Sequence, residues 1–187
     1  MSEEILFEPY TLIESNHPIL HSKVEPFDFN NSGIDPIVLA NRLIVTMNNH
    51  NGLGLSANQC GLPYRVFVMR SEPTKVCFNP KILFQSQEEV SLEEGCLSHP
   101  FLFVKIKRPV WIRVRYTDAQ GEVHTERFIG MTARCFQHEY DHLEGVNYLR
   151  RANIAHVQRA KRDQIKIKKR VKASPKMVLR NEDISTG

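Results

Sequence analysis

The sequence has no apolar run close to the roughly 20 residues needed to cross a bilayer, so it encodes no membrane-spanning helix. Its four cysteines, Cys60, Cys77, Cys96 and Cys135, are far apart and form no CxxC pair, which argues against a disulfide framework. Each is then core filler, a reactive thiol or a metal ligand. No internal repeat is visible, and the basic stretch near the end is the one compositionally biased block. The start, Met1-Ser2-Glu3-Glu4, is acidic and polar, unlike a secretory signal or an Arg-rich transit peptide. A cytoplasmic location, or the equivalent host compartment, is therefore expected.

The 187 residues fit one domain, but charge divides them. Residues 1–149 carry 13 Lys+Arg against 18 Asp+Glu, and residues 150–180 carry 12 against one. This sets a catalytic domain over 1–150 apart from a basic C-terminal tail over 151–187. Ile154, Val157, Ile165 and Ile167 allow the tail a partial helix over about 153–170. Such a tail is either a solvated surface or a footprint for a polyanion such as ribosomal RNA. No DNA or membrane partner is expected.

The first 30 or so residues, broken by Pro9, Pro18 and Pro26, read as extended segments and turns. Asp35-Pro36 starts a helix over about 35–49, with Ile37, Ala40, Ile44 and Met47 at helical spacing. Strands are expected at 65–69, 75–79 and 110–116. A turn at 118–121 leads the last of these into 123–129 as a hairpin. Thr132 is expected to cap a second helix over about 133–144, ended by Gly145.

His138 and His142 lie four residues apart on that helix, so both imidazoles project from one face toward a single cation. Glu139, rotated by about 100°, can stand beside the ion and exchange a proton with water. Downstream of His142 the chain is basic and offers no good third donor. Upstream, Cys96 in Glu94-Gly95-Cys96-Leu97-Ser98-His99-Pro100 sits in a Gly-flanked turn closed by proline and could approach the helix closely. Cys/His₂ ligation would leave a fourth tetrahedral position open, the pattern of a catalytic site. A third segment, Gly52-Leu53-Gly54-Leu55-Ser56-Ala57-Asn58-Gln59, lies in the loop after the first helix. It has the small residues that let backbone approach a ligand but lacks the ending of a phosphate loop.

These three segments, in this order and spacing, resemble the signature motifs of the peptide deformylases, and the similarity spans about residues 9–150. The resemblance implies an α+β fold of mixed, mainly antiparallel strands around a central metal-binding helix. It implies Cys96, His138 and His142 as ligands of one divalent ion, iron(II) with zinc as the alternative, and Glu139 as general acid/base. It also implies Gln59 and the Leu97 N–H as oxyanion donors, and Gly54 as a contact for substrate backbone. The activity implied is hydrolysis of the N-formyl group from formyl-methionyl peptides, with release of formate. Leu53, Leu97, Cys135 and His138 are candidates for the methionine pocket. Cys60 and Cys77 are assigned to the core, and Arg108 with Asp141 to a buried pair. The sequence departs from the family pattern at Ser56, Cys60 and Phe103. Two rival readings are a zincin-type metallopeptidase, indifferent to Cys96, and a ribosome- or RNA-binding protein with a structural metal.

Overall fold

The computed structural model describes residues 7–173. Helix α1 (Pro36–Asn49) is followed by a short strand β1 (Gly54–Ser56) and a 3-10 turn (Ala57–Cys60). Strands β2 (Val66–Met69), β3 (Lys75–Gln85), β4 (Glu89–Cys96), β5 (His99–Pro109), β6 (Trp111–Thr117) and β7 (Val123–Ile129) come next. Helices α2 (Gly130–Leu143) and α3 (Ile154–Ala173) close the described chain. The architecture is α+β, as expected. An antiparallel five-stranded sheet runs β1-β2-β3-β6-β7, and β4 and β5 form a separate antiparallel pair.

Strand β2 shows how the layers meet. All four of its residues are buried, because successive side chains point to opposite faces of the sheet. Val66 and Val68 enter a core with Leu39, Leu43 and Met47 of α1. Phe67 and Met69 enter a second core with Phe136 and Leu143 of α2. Helix α2 therefore lies against the sheet and also touches β5, which places it between the two β units.

Most local expectations hold. The Asp35 carboxylate accepts from the N–H of Ile37 at 2.7 Å, and Pro36 occupies the first helical turn. The buried stripe of α1 is Leu39, Leu43 and Met47 with Ala40, whereas Ile37 is exposed; the apolar face is thus rotated from the expected one. The β6–β7 hairpin is in register from Trp111↔Ile129 to Thr117↔Val123, and the Asp118 carboxylate accepts from the N–H groups of Gln120 and Glu122 in its turn.

Three expectations need correction. Thr132 does not cap α2: β7 runs straight into the helix, with Ile129 extended at the N-cap and Gly130 making the bend at φ +61°. The segment Gly52–Gln59 is not a plain loop but an edge strand and a 3-10 turn. The Cys96 segment is the tip of a long hairpin in which Cys96 pairs with His99, so Pro100 lies within β5 and does not close the turn.

Gly145 ends α2 as expected. At φ +68° it donates to the carbonyl of His142, and Val146 donates to that of Asp141, the Schellman arrangement. A side chain there would strike the backbone of His21 and Ser22 at under 3 Å. The tail helix α3 buries none of its residues fully, yet Val157 and Ala160 pack on Val104, Ile106 and Tyr148, and the Gln164 amide donates to the Pro100 carbonyl at 2.7 Å. Residues 174–187 of the expected tail lie outside the described residues.

Candidate metal centre and active site

Helix α2 carries a row of polar residues into the interior, and each meets a partner. His138 and His142, one turn apart, bring their ring centroids to 5.1 Å. The β4–β5 hairpin delivers Cys96 to them, with its Sγ 3.2 Å from His142 Nε2. Among the described residues, Cys96, His138 and His142 form the one Cys/His/acid cluster with its donor atoms all within 4.8 Å of one another. Burial alone would push the Cys96 thiol up, but the two imidazoles bring it well below its usual range. A thiolate and two imidazoles are a fitting donor set for a divalent ion.

The two histidines are held by neighbours outside the donor set. The Glu94 carboxylate faces His138 Nδ1 at 3.0 Å, which directs the opposite ring nitrogen to the donor cluster. Burial opposes ionisation of Glu94, yet Arg108 and His138 bring its pKa to about 2. Arg108 grips Glu94 through Nε at 2.6 Å and Nη2 at 2.8 Å, and reaches Asp141 with Nη1 at 2.8 Å. The expected Arg108–Asp141 pair is therefore present, as part of a larger network. Arg134 adds a further contact to Glu94, and Arg151 pairs with Asp141. Asn58 donates to the carbonyl of His142 at 2.7 Å.

Glu139 is buried beside the donor set. Burial raises its carboxyl pKa above the ordinary range, partly offset by the two imidazoles. Its Oε2 accepts from the Ser56 hydroxyl at 2.8 Å. A Cβ on Gly54 would come within 2.5 Å of Oε1, so only glycine leaves room for the carboxylate at this point of β1.

The amide of Gln59 is oriented by its neighbours. The Ser56 N–H can only donate, so it fixes Oε1 at 2.9 Å and turns the NH₂ group toward Cys96 Sγ at 3.6 Å and Ser98 Oγ at 3.0 Å. Leu97 follows Cys96 in the hairpin turn and lines the same pocket as Gln59 and Glu139.

A pocket of about 540 Å³ opens over these groups. Gln59, Cys96, His138 and Glu139 line it, together with Leu53, Gly54, Leu97 and Cys135. His142 is not part of this lining but contacts Cys96, which is, at 3.2 Å. The Cys135 thiol donates to the Leu53 carbonyl at 3.2 Å, tying α2 to the pocket wall. A cleft of similar size, about 550 Å³, opens on the far side of α2 and contains none of the donor set. Cys77 is buried in the core shared with α2 and Cys60 packs half-buried against the core shared with α1, as expected, and burial raises both thiol pKa values, that of Cys60 to about 12.

Ser56, Glu94 and Arg134 were given no role by sequence reasoning. Ser56 stood out only as a departure from a pattern, and its partner is 83 positions away. Glu94 opened a motif segment without a role of its own, and its tandem acids Glu93-Glu94 were a weak signal that one of them is turned inward.

The comparisons agree with this geometry. Residues 9–160 match the family described as Polypeptide deformylase. A peptide deformylase of Pseudothermotoga lettingae is 42% identical over 113 residues, spanning 60% of this chain and 66% of that one. One of Phenylobacterium zucineum is 37% identical over 166 residues, spanning 84% and 94%. The crystal structure of peptide deformylase from Thermotoga maritima superposes with a TM-score of 0.73 at 36% identity, covering 78% of this chain and 99% of that one. With most of its length matched and its three motif segments meeting at one donor set, the chain belongs to the polypeptide deformylase family.

Proposed function

We propose that this chain hydrolyses the N-formyl group from the N-terminal formyl-methionine of nascent polypeptides, releasing formate. The observation that carries the reading is a buried carboxylate and an aimed amide beside one Cys/His/His donor set, with the carboxylate, the amide and two of the three donor residues lining a single pocket. Cys96, His138 and His142 would hold the divalent ion. When bound, that ion supplies Lewis acidity, polarising the formyl carbonyl and easing deprotonation of water. Iron(II) is the ion we propose, with zinc compatible with the same donors.

Glu139 takes the proton from the attacking water. Its raised pKa suits it both to accept that proton and to return it to the departing amine nitrogen. Ser56 and the narrow space at Gly54 keep its carboxylate aimed. The Gln59 NH₂ and the Leu97 N–H donate to the oxygen on which charge develops. Gly54, on the edge strand β1, contacts substrate backbone, and Leu53, Leu97, Cys135 and His138 receive the methionine side chain.

We assign this chemistry to the catalytic domain, residues 1–150, in a cytoplasmic setting where formylated chains leave ribosomes. The basic tail would bring the enzyme to ribosomal RNA. Among the described residues no helix is long and apolar enough to cross a membrane. The test is anaerobic purification, metal analysis and an assay of formate release from a formyl-Met peptide. Formate released in proportion to bound metal supports the reading, and a metal-loaded protein that releases none overturns it.

A further inference from the structure

We infer that the sheet face turned away from α2, over β3, β6 and β7, binds single-stranded RNA. Lys81, Arg113, Arg115 and Arg127 would meet its phosphates, and Trp111 with Arg127 would stack its bases. The sequence carries the pattern in Trp111-Ile112-Arg113-Val114-Arg115-Tyr116. Ile112, Val114 and Tyr116 enter the core against α2, so strand periodicity turns Trp111, Arg113 and Arg115 to the opposite face. Register extends that face across the neighbouring strands, because directly opposed residues share a side. Arg127 stands opposite Arg113, Thr125 opposite Arg115 and Ile129 opposite Trp111. On the other flank, Lys81 stands opposite Arg115 and Phe84 opposite Arg113.

The four cations are exposed and Trp111 is half-buried. Among the described residues none of the four forms an ion pair. Strands β3 and β6 contain no acid, and the one acid of β7, Glu126, points to the other face, where it meets Tyr116 and Lys75. Residues 1–149 carry more acid than base, so this face is a local concentration of charge and not a general surplus. Unpaired cations at alternate positions, about 7 Å apart along a strand, attract a polyanion. The Arg127 guanidinium lies 4.2 Å from the centroid of the Trp111 ring, and unpaired bases stack on both kinds of group. A single strand presents phosphates and bases together, which suits cations interleaved with an aromatic ring. A duplex hides its bases, and a bilayer calls for an apolar patch rimmed by charge. RNA is the single strand at hand if the enzyme works beside ribosomes, as the deformylase reading has it; the binding chemistry does not rest on that reading.

Trp111 is the only tryptophan of the chain, so its fluorescence reports on this face and not on α3. The full-length protein, with Lys166, Lys168, Lys169 and Arg170 changed to Gln to silence α3, is titrated with a short oligouridylate. Trp111 fluorescence should be quenched to saturation. Four phosphate contacts on a single strand give a log–log salt slope near −3, or about 50-fold weaker binding between about 50 and 200 mM salt. Adding Arg113→Gln and Arg115→Gln, both at exposed positions, should roughly halve that slope. Trp111→Leu, read by anisotropy of labelled RNA, should weaken binding at least about fivefold at fixed salt. All these variants should release formate from a short formyl peptide as the wild type does. Absence of quenching, a slope unchanged by the arginine changes, or tighter binding to duplex RNA or to phosphatidylserine vesicles overturns the proposal. A wild type that releases no formate overturns the deformylase reading and leaves the outcome of the titration standing.

Discussion

Helices α2 and α3 are both rich in polar residues, yet nine of the 14 residues of α2 are buried and none of the 20 of α3. In α2 the buried set includes Arg134, Gln137, His138, Glu139, Asp141 and His142. A charge taken out of water is costly unless it is paired, and here Arg134, His138, Glu139 and Asp141 each meet a named partner from another element. The charges of α3 face water and need none. Similar polarity thus has two meanings: on α2 it builds a site, and on α3 it builds a surface.

The largest expected break in this contrast comes from removing a partner of α2. Arg108→Ala leaves Glu94 and Asp141 with weaker neutralisation in a buried setting. It should cost about 3 kcal/mol of stability, measured by urea unfolding, and weaken metal retention about tenfold. Unchanged values for both would mean that Arg134 and Arg151 suffice. Gln59→Ala should keep the metal and lower kcat about 100-fold through loss of one oxyanion donor.

On α3 the expected effects are smaller. Truncating the helix would uncover Val104, Ile106 and Tyr148, so charge replacement tests it more cleanly. Changing Lys166, Lys168, Lys169 and Arg170 to Gln should leave stability within about 0.5 kcal/mol, while salt-dependent ribosome binding falls. Equal binding before and after the change would remove the polyanion reading.

The smallest effect belongs to a surface pair on the sheet. Partial burial would raise the Glu126 carboxyl, but the Tyr116 hydroxyl and Lys75 hold it below the ordinary range. A depressed folded-state pKa stabilises above the unfolded value and is lost as pH falls through the folded one. Glu126→Gln should therefore cost less than about 1 kcal/mol at neutral pH. The difference from wild type should shrink as the medium is acidified below the ordinary glutamate range.

What the sequence disclosed divides along the same lines. The periodic and capped parts were legible: α1 from Asp35-Pro36, the β6–β7 hairpin from its alternation, and the end of α2 from Gly145. The ligand spacing on α2 was legible too, because four residues make one helical turn. The β4–β5 hairpin was not, although Leu102, Val104, Ile106 and Arg108 alternate as a strand should. One of its inward positions is the buried arginine, and its tip carries the chemistry, so the segment read as a turn. The start of α2 was misplaced because a strand running directly into a helix needs no Ser or Thr cap. Contacts such as Ser56 with Glu139, or Arg134 with Glu94, join residues 83 and 40 positions apart. No local pattern encodes such pairs; only the packing of α2 between the two β units brings them together.

The central claim is that the buried carboxylate of α2 moves the proton while Cys96, His138 and His142 hold the metal. Glu139→Gln keeps shape and removes the base, so metal content and formate release measured on one preparation test it most directly. The expected result is full metal occupancy with turnover lower by about 10² to 10⁴. A variant that binds metal and still releases formate at the wild-type rate would contradict the account.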